Sequence, residues 1–84
     1  MILDQCRMAR AALKWSAHDL AREAQVGYAT VARFESGQTV QADSIASMRA
    51  ALEGGGVEFI SAGATIKEGK GSTGAGVRLL SSLA

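Results

Sequence analysis

Glycine is distributed very unevenly along this chain of 84 residues. The first 53 residues contain two glycines, whereas the remaining 31 contain eight, and proline is absent. Because glycine weakens helix interiors and is frequent in turns and loops, this change of composition divides the chain at Gly54. We expect helices before that residue, and strands and loops after it.

Composition and size favour one small folded domain. Hydrophobic residues make up 48% of the chain, but 84 residues leave little core to spare, so a homodimer would help to stabilise the fold. The formal net charge of +1 gives weak support for nucleic-acid binding, because domains that bind nucleic acids are usually strongly basic. The directions of five basic side chains therefore matter: Arg7, Arg10, Lys14, Arg22 and Arg33.

Membrane, secreted and metal-binding proteins are disfavoured. No apolar run approaches the roughly 20 residues that a membrane helix needs. The N-terminus carries Asp4 where a secretory signal carries basic residues, so we expect a cytoplasmic protein. Cys6 has no second cysteine to pair with and His18 is the only histidine, so no metal site and no cofactor are predicted. We expect Cys6 to be a small core residue.

Apolar spacing and capping residues predict the first two helices. The stripe of the first helix is Leu3, Cys6, Ala9 or Arg10, and Leu13. Trp15 fills the corner behind it. Ser16 followed three residues later by Asp19 resembles a capping box, which places the start of the second helix near Ala17.

The same reasoning predicts two further helices. Gly27 serves either as a turn residue or as the N-cap of a third helix, which runs from about Tyr28 to Ser36 and stops at Gly37. Val31 and Phe34 face inward, and the residues expected on the outside are Tyr28, Ala29, Ala32 and Arg33. A fourth helix begins at Asp43 or Ser44 and ends at the three glycines 54–56. Its buried stripe is Ile45, Met48, Ala51 and Leu52.

Two segments after Gly54 have the alternation of strands. They are "VEFI", 57–60, and "GVRLL", 76–80, in which Val77 and Leu79 share one side. "ATIKE", 64–68, is either a third short strand or part of a long mobile connection. These patterns predict a helical part, 1–53, and a glycine-rich strand extension, 54–84.

The second and third helices suit the major groove of DNA, because two short helices joined by a tight turn can place the second one there. "SAHDLA" and "TVARFESG" match the patterns S-x-x-x-L-A and T-[IV]-x-x-[FIL]-E-x-G. On these motifs the chain resembles the Cro/C1-type (XRE) helix-turn-helix family, from about Cys6 to Leu52. "ALEGGGVEFI" and "GVRLL" are further similar to a subgroup of small bacterial regulators with a C-terminal strand pair. The resemblance implies a mainly α, lambda-repressor-like DNA-binding domain of four helices at 1–53, and a short β-strand pair for dimerisation at 54–84.

The resemblance also implies the residues that contact DNA. Ser16 and the start of the second helix, Ala17 and His18, would meet phosphate, and Gln38 and Thr39 would lie near the backbone. The residues implied to face the groove are Tyr28, Ala29, Thr30 and Arg33. The chain departs from the family at Ala17, which often is Gln or Arg, and at Gly27, which replaces a common Ser or Thr.

Alternatives stay open for the residues facing the groove. Arg33 can bind guanine O6 and N7 through two parallel donors, or it is a solvated surface charge. Tyr28 contacts a phosphate, contacts a thymine methyl or packs beside the second helix. Thr30 faces DNA or bonds back to a backbone carbonyl. The resemblance implies that Arg10 and Glu35 form an ion pair fixing helix 3 against helix 1, and the alternative is a solvated, nearly neutral pair.

A sequence-specific DNA-binding transcriptional regulator is the function predicted, acting as a homodimer on an inverted repeat. The residues expected in the dimer interface are Val57, Phe59, Val77 and Leu79. The alternative is a protein-interaction module or an antitoxin-like protein that binds a partner protein. An enzyme is not expected, because no acid-base pair, nucleophile beside a base or metal cluster is visible. "GKGSTG", Gly69–Gly74, is read as a loop, since no helix follows this glycine pattern.

Overall fold

The chain folds as four helices followed by two antiparallel strands, in a computed structural model that describes residues 1–60 and 76–80. The helices are α1 (Leu3–Leu13), α2 (Ala17–Ala24), α3 (Tyr28–Glu35) and α4 (Ala42–Gly54), and the strands are β1 (Val57–Ile60) and β2 (Gly76–Leu79). The mainly α class and the order of elements confirm the prediction. The possible third strand at 64–68 lies outside the described residues.

One core joins the helices and the first strand. Its buried apolar members are Cys6, Ala9, Leu20, Ala21, Val31, Phe34, Met48, Leu52 and Val57. Ala9 is fully buried and Arg10 is not, which decides between the two residues considered for the α1 stripe. Leu3, Leu13, Ile45 and Ala51 are partly buried against this cluster. The predicted stripes of the helices thus face a single interior.

The start of α2 is the capping box expected from the sequence. The Asp19 amide donates to the Ser16 hydroxyl at 3.0 Å, and the Ser16 amide donates to the Asp19 carboxylate at 2.9 Å. Helix α4 begins at Ala42 rather than at Asp43 or Ser44. The reason is that extended Gln41 supplies the first carbonyl, which accepts from the amides of Ser44 and Ile45, and no side-chain cap is used.

The turn between α2 and α3 depends on Gln25. Gln25 has a φ of 59° in the left-handed region, and the next amide, from Val26, donates to the Ala21 carbonyl at 3.0 Å. Gly27 has a φ of −70°, which any residue adopts, and it is the N-cap of α3. Of the two roles considered for Gly27, the N-cap is therefore the observed one. The left-handed conformation at this turn belongs to Gln25.

The glycines at two helix ends are used as expected. Gly37 has a φ of 91° and follows α3, where the Gln38 amide donates to the Arg33 carbonyl at 2.9 Å. A Cβ atom on Gly55, at the end of α4, would lie 2.8 Å from Leu13 and 3.1 Å from Trp15. Gly55 therefore lets the end of α4 approach α1 and the corner filled by Trp15.

The strand pair packs on α1 and α4. Val57 pairs with Leu79 and Phe59 with Val77, and the Gln5 amide donates to the carbonyls of Ile60 at 2.8 Å and Gly76 at 3.0 Å. Gln5 is 5% exposed, so these bonds satisfy a buried polar group and hold both strands against α1. Val57 belongs to the same buried cluster as the helical core residues. The division of the chain into two parts at Gly54 stays a prediction.

Candidate nucleic-acid interface

Helix α3 has one anchored face and one open face. Val31 and Phe34 point into the core with exposed fractions of 0% and 9%, whereas Tyr28 is 48% exposed. Ala29 and Arg33 are also exposed, and Ala32 and Thr30 are half-buried. The open face is therefore a ridge of Tyr28, Ala29, Ala32 and Arg33, which we call the α3 ridge. Its composition agrees with the side expected to face outward.

The ring of Tyr28 lies against α2. Its centroid is 4.0 Å from that of the His18 ring, and the two planes are inclined by 10°, so the rings are stacked nearly parallel. Tyr28 thus packs beside the second helix, as one of the alternatives proposed, while almost half of its surface stays open. Ser16 and His18 are exposed and Ala17 is half-buried. The start of α2 and the start of α3 consequently form one continuous surface.

An open cleft on one side of the α3 ridge brings together three residues implied to contact DNA. Thr30, Arg33 and Thr39 line it, with Val40, Gln41 and Ser44 from the α4 side. The Gln38 side chain is exposed and lies 3.4 Å from the Ser36 hydroxyl, outside this lining set. A bond from a hydroxyl back to a carbonyl, which was one alternative for Thr30, is formed by Ser36. Its hydroxyl donates to the Arg33 carbonyl at 3.0 Å.

A second cleft lies on the other side of the ridge, between α3 and α1. Its lining residues are Arg7, Arg10, Ala17, Tyr28, Ala32, Glu35 and Ser36. Arg7 is exposed here and was not predicted as a contact residue. Its position three residues before Arg10 on α1 puts both side chains on one helix face, and this spacing was the available signal.

Arg10 and Glu35 form the expected ion pair between α1 and α3. Arg10 donates from Nε and Nη2 to the two carboxylate oxygens of Glu35, each at 2.7 Å, and from Nη1 to the Trp15 carbonyl at 3.0 Å. The Cys6 thiol donates to Glu35 at 3.2 Å. The side chains of Arg10 and Glu35 are 21% and 11% exposed, which excludes the alternative of a freely solvated pair. The pair holds α3 against α1.

The groups of this cluster have shifted pKa values. Burial and the hydrogen bond to Glu35 raise the pKa of the Cys6 thiol from 9.0 to about 12. Burial acts to raise the pKa of Glu35, but hydrogen bonds from Arg10 and Cys6 and the positive charges nearby outweigh it and hold this pKa below 4.5. The hydrogen bond to Glu35 raises the pKa of Arg10. The ion pair therefore stays charged and the thiol stays protonated near neutral pH.

The basic side chains are not equally available to a ligand. Arg22 lies 3.1 Å from Asp19 and 3.8 Å from Glu23, and Arg10 is paired with Glu35. Among the described residues, Arg7, Lys14 and Arg33 form no such ion pair. Arg7 and Arg33 line the clefts on opposite sides of the α3 ridge. Two arginines without such a partner therefore lie beside α3, although the formal net charge of the chain is only +1.

The four residues predicted for a dimer interface differ in their surroundings. Val57 is 1% exposed within its own chain, so it has no free surface and is wrong as an interface residue. Phe59 and Val77 are half-buried against the core, and Arg49 stacks over the Phe59 ring with its guanidinium carbon 5.2 Å from the centroid. Leu79 is 53% exposed, and Leu80, which was not predicted, is 50% exposed.

No model of a known protein family matches the chain, and no curated protein matches it either. Within 1–60 and 76–80, no helix is long and apolar enough to cross a membrane. Over the same residues, no group of three or more His, Cys, Asp or Glu side chains is placed to hold a metal ion.

Proposed function

We propose that the chain is a double-stranded DNA-binding protein of the helix-turn-helix class, with α3 as the recognition helix. The observation that carries this proposal is the open α3 ridge, held outward by Val31, Phe34 and the Arg10–Glu35 pair. Two arginines that form no ion pair within 1–60 and 76–80 flank this ridge. More particularly, we propose a lambda-repressor-like transcriptional regulator of the Cro/C1-type (XRE) family. It acts in the cytoplasm as a homodimer bound to an inverted repeat.

The dimensions of α3 support this function. A helix of 8 residues is about 12 Å long and, with its side chains, about as wide as the major groove of B-DNA. Ala29 and Ala32 end at Cβ, so the helix backbone approaches base edges closely at these positions. Arg33, at the other end of the ridge, has the planar fork of donors that pairs with guanine O6 and N7.

Polar groups beside α3 supply the contacts with the DNA backbone. Arg7 lies beside the ridge on the α1 side, where one of the two phosphate chains that border the groove would pass. The Ser16 oxygen accepts from Asp19, which leaves the hydroxyl proton of Ser16 to donate to a phosphate oxygen. Phosphate contacts of this kind position the protein, and base contacts on the ridge specify the sequence.

A two-fold dimer would place two copies of α3 about one duplex turn apart, roughly 34 Å. Leu79, the last residue of β2, and the adjacent Leu80 are exposed apolar side chains that a second copy would cover. Occupancy of a site near a promoter is then the regulatory event.

Titration with a mixed-sequence duplex at two salt concentrations tests DNA binding. A dimer that neutralises about four phosphates should lose roughly 100-fold in affinity between about 50 and 200 mM salt. Arg7→Gln should reduce the steepness of the salt dependence, while Arg49→Gln, at an exposed residue of α4 paired with Glu53, should leave it unchanged. If the protein binds the duplex at neither salt concentration, the proposal is rejected.

The second candidate function is a protein-interaction module or an antitoxin-like protein that binds a partner protein. The low formal net charge of +1 favours it, because a module that binds protein needs no excess of positive charge. It predicts indifference to duplex DNA at both salt concentrations, so the same titration separates the two functions.

A further inference from the structure

Three of the four residues of the α3 ridge, Tyr28, Ala29 and Ala32, present an aromatic ring or a methyl group. Tyr28 and Ala32 lie one helical turn apart, and Ala17, from the start of α2, lines the same cleft. The ring and the two methyl groups therefore form the apolar part of a recess, and Ala29 extends this part along the ridge. The other residues that line the recess are polar or charged: Arg7, Arg10, Glu35 and Ser36. Arg33, at the opposite end of the ridge, is the residue proposed to form hydrogen bonds with a base.

His18 holds the ring that borders this recess. The nearly parallel stack, at a centroid distance of 4.0 Å, covers one face of Tyr28 and opposes rotation about its side-chain torsions. The rest of the ring stays open, since the residue is 48% exposed. A surface fixed before binding loses little conformational entropy on contact, and it discriminates better between ligands that differ by one small group.

Only one base presents an apolar group in the major groove. Thymine carries a methyl group at C5, and cytosine has hydrogen there, so an apolar contact at this position distinguishes the two pyrimidines. Arg7 also lines the recess and forms no ion pair with another described residue, so it suits a phosphate beside such a base. We propose that Tyr28, positioned by His18, selects a thymine in each half-site through its 5-methyl group. This inference rests on the proposed function.

Deoxyuridine provides the probe, because it differs from thymidine only by the absence of that methyl group. After selection of a preferred duplex from a random pool, each dT would be replaced by dU in turn, and the affinity measured at fixed salt. One replacement in each half-site should weaken binding about three- to tenfold, which is the expected size for a single buried methyl contact. Replacing the same dT by dC should weaken binding. Replacing it by 5-methyl-dC, which carries the methyl group, should weaken binding less.

Variants assign the effect to the ring and its support. Tyr28→Phe keeps the ring and should keep the ratio of dT to dU affinity, whereas Tyr28→Ser should bring this ratio close to one. His18→Ala removes the stack and should lower the ratio of dT to dU affinity, and His18→Phe should restore this ratio. Because His18 and Tyr28 are both exposed, these changes leave the core intact.

The possible failures are distinguishable. An unchanged ratio in Tyr28→Ser would overturn the methyl contact while DNA binding itself stands. Loss of affinity in Tyr28→Phe, without any sensitivity to dU, would assign the hydroxyl to a phosphate and also overturn the inference. If the wild-type chain shows no salt-dependent binding to any duplex, the proposed function fails and the inference falls with it.

Discussion

Arg33 is the residue on which base recognition by α3 depends most. Its guanidinium is exposed and forms no ion pair with a described residue, so it is free to donate to a guanine. Arg33→Ala should weaken binding to the preferred duplex by about 1 to 3 kcal/mol and relax discrimination at one base pair. Repeating the duplex selection with the variant measures both effects, with Arg49→Ala as the control. The same preferred sequence from both proteins would exclude Arg33 as a reader.

The Arg10–Glu35 pair should matter for stability rather than for recognition. Replacing either residue alone leaves a mostly buried charge without its partner, so Arg10→Met or Glu35→Leu should lower the free energy of unfolding by about 2 to 4 kcal/mol. The double variant should recover most of this loss, because it buries no unpaired charge. Urea denaturation of the three variants measures the coupling. Losses that simply add in the double variant would show that the two side chains act independently.

Glu35 also predicts how stability changes in acid. Its pKa is lowered in the folded protein, so on acidification the unfolded chain takes up the proton first. The contribution of Glu35 is complete above its ordinary pKa of 4.5 and is lost as the pH falls through the lower folded value. Glu35→Gln should therefore be less stable than the wild type near neutral pH and show a shallower loss below pH 4.5. Parallel slopes for both proteins in that range would contradict this assignment.

At the scale of the element, the start of α3 can be improved. Gly27 is an N-cap in extended conformation, and a Cβ there would lie 4.0 Å from the Thr30 hydroxyl, in ordinary contact. Gly27→Ser should stabilise the fold by about 0.5 kcal/mol, since the hydroxyl accepts from an unpaired first-turn amide, whereas Gly27→Ala should not. Thermal unfolding of both variants checks this. In duplex titrations, Gly27→Ser differs from Gly27→Ala by a hydroxyl at the N-terminus of α3.

The elements themselves were predictable because their signals are local. Ser16 and Asp19, which lie within four residues of each other, predict the start of α2. The glycines 54–56 predict the end of α4, because glycine is frequent at helix C-termini. The start of α4 was misplaced because Gln41 caps through its backbone alone, which leaves no side-chain signal. The left-handed Gln25 was missed for a related reason, since glycine is the usual residue there.

The parts of the site that were not predictable depend on contacts between distant segments. The His18–Tyr28 stack and the cleft containing Arg7 exist only after α1, α2 and α3 have packed together. Val57 alternates like a surface strand residue, but the bonds of Gln5 to both strands hold it in the core. Arg10–Glu35 was the exception, because the family resemblance implied a pair that spacing alone does not reveal.

At the scale of the whole molecule, the proposed dimer can be tested through Leu79. This side chain is 53% exposed, so Leu79→Lys should leave the monomer fold intact while placing charge at the proposed interface. We expect the variant to sediment as a monomer and to bind an inverted repeat at least about tenfold more weakly, since it loses the linkage of two half-sites. Ala50→Lys, on the exposed side of α4, is the control. An unchanged dimer in Leu79→Lys would place the interface elsewhere.

The inaccessible thiol of Cys6 can report the unfolding of the chain. The side chain is 0% exposed and its pKa is about 12, so an alkylating reagent can react with it only when the helices separate. The labelling rate in plain buffer therefore reports how often the molecule opens, with no denaturant or added fluorophore. A ligand that binds only the closed form, such as an operator duplex, should slow the alkylation in proportion to its concentration above the Kd.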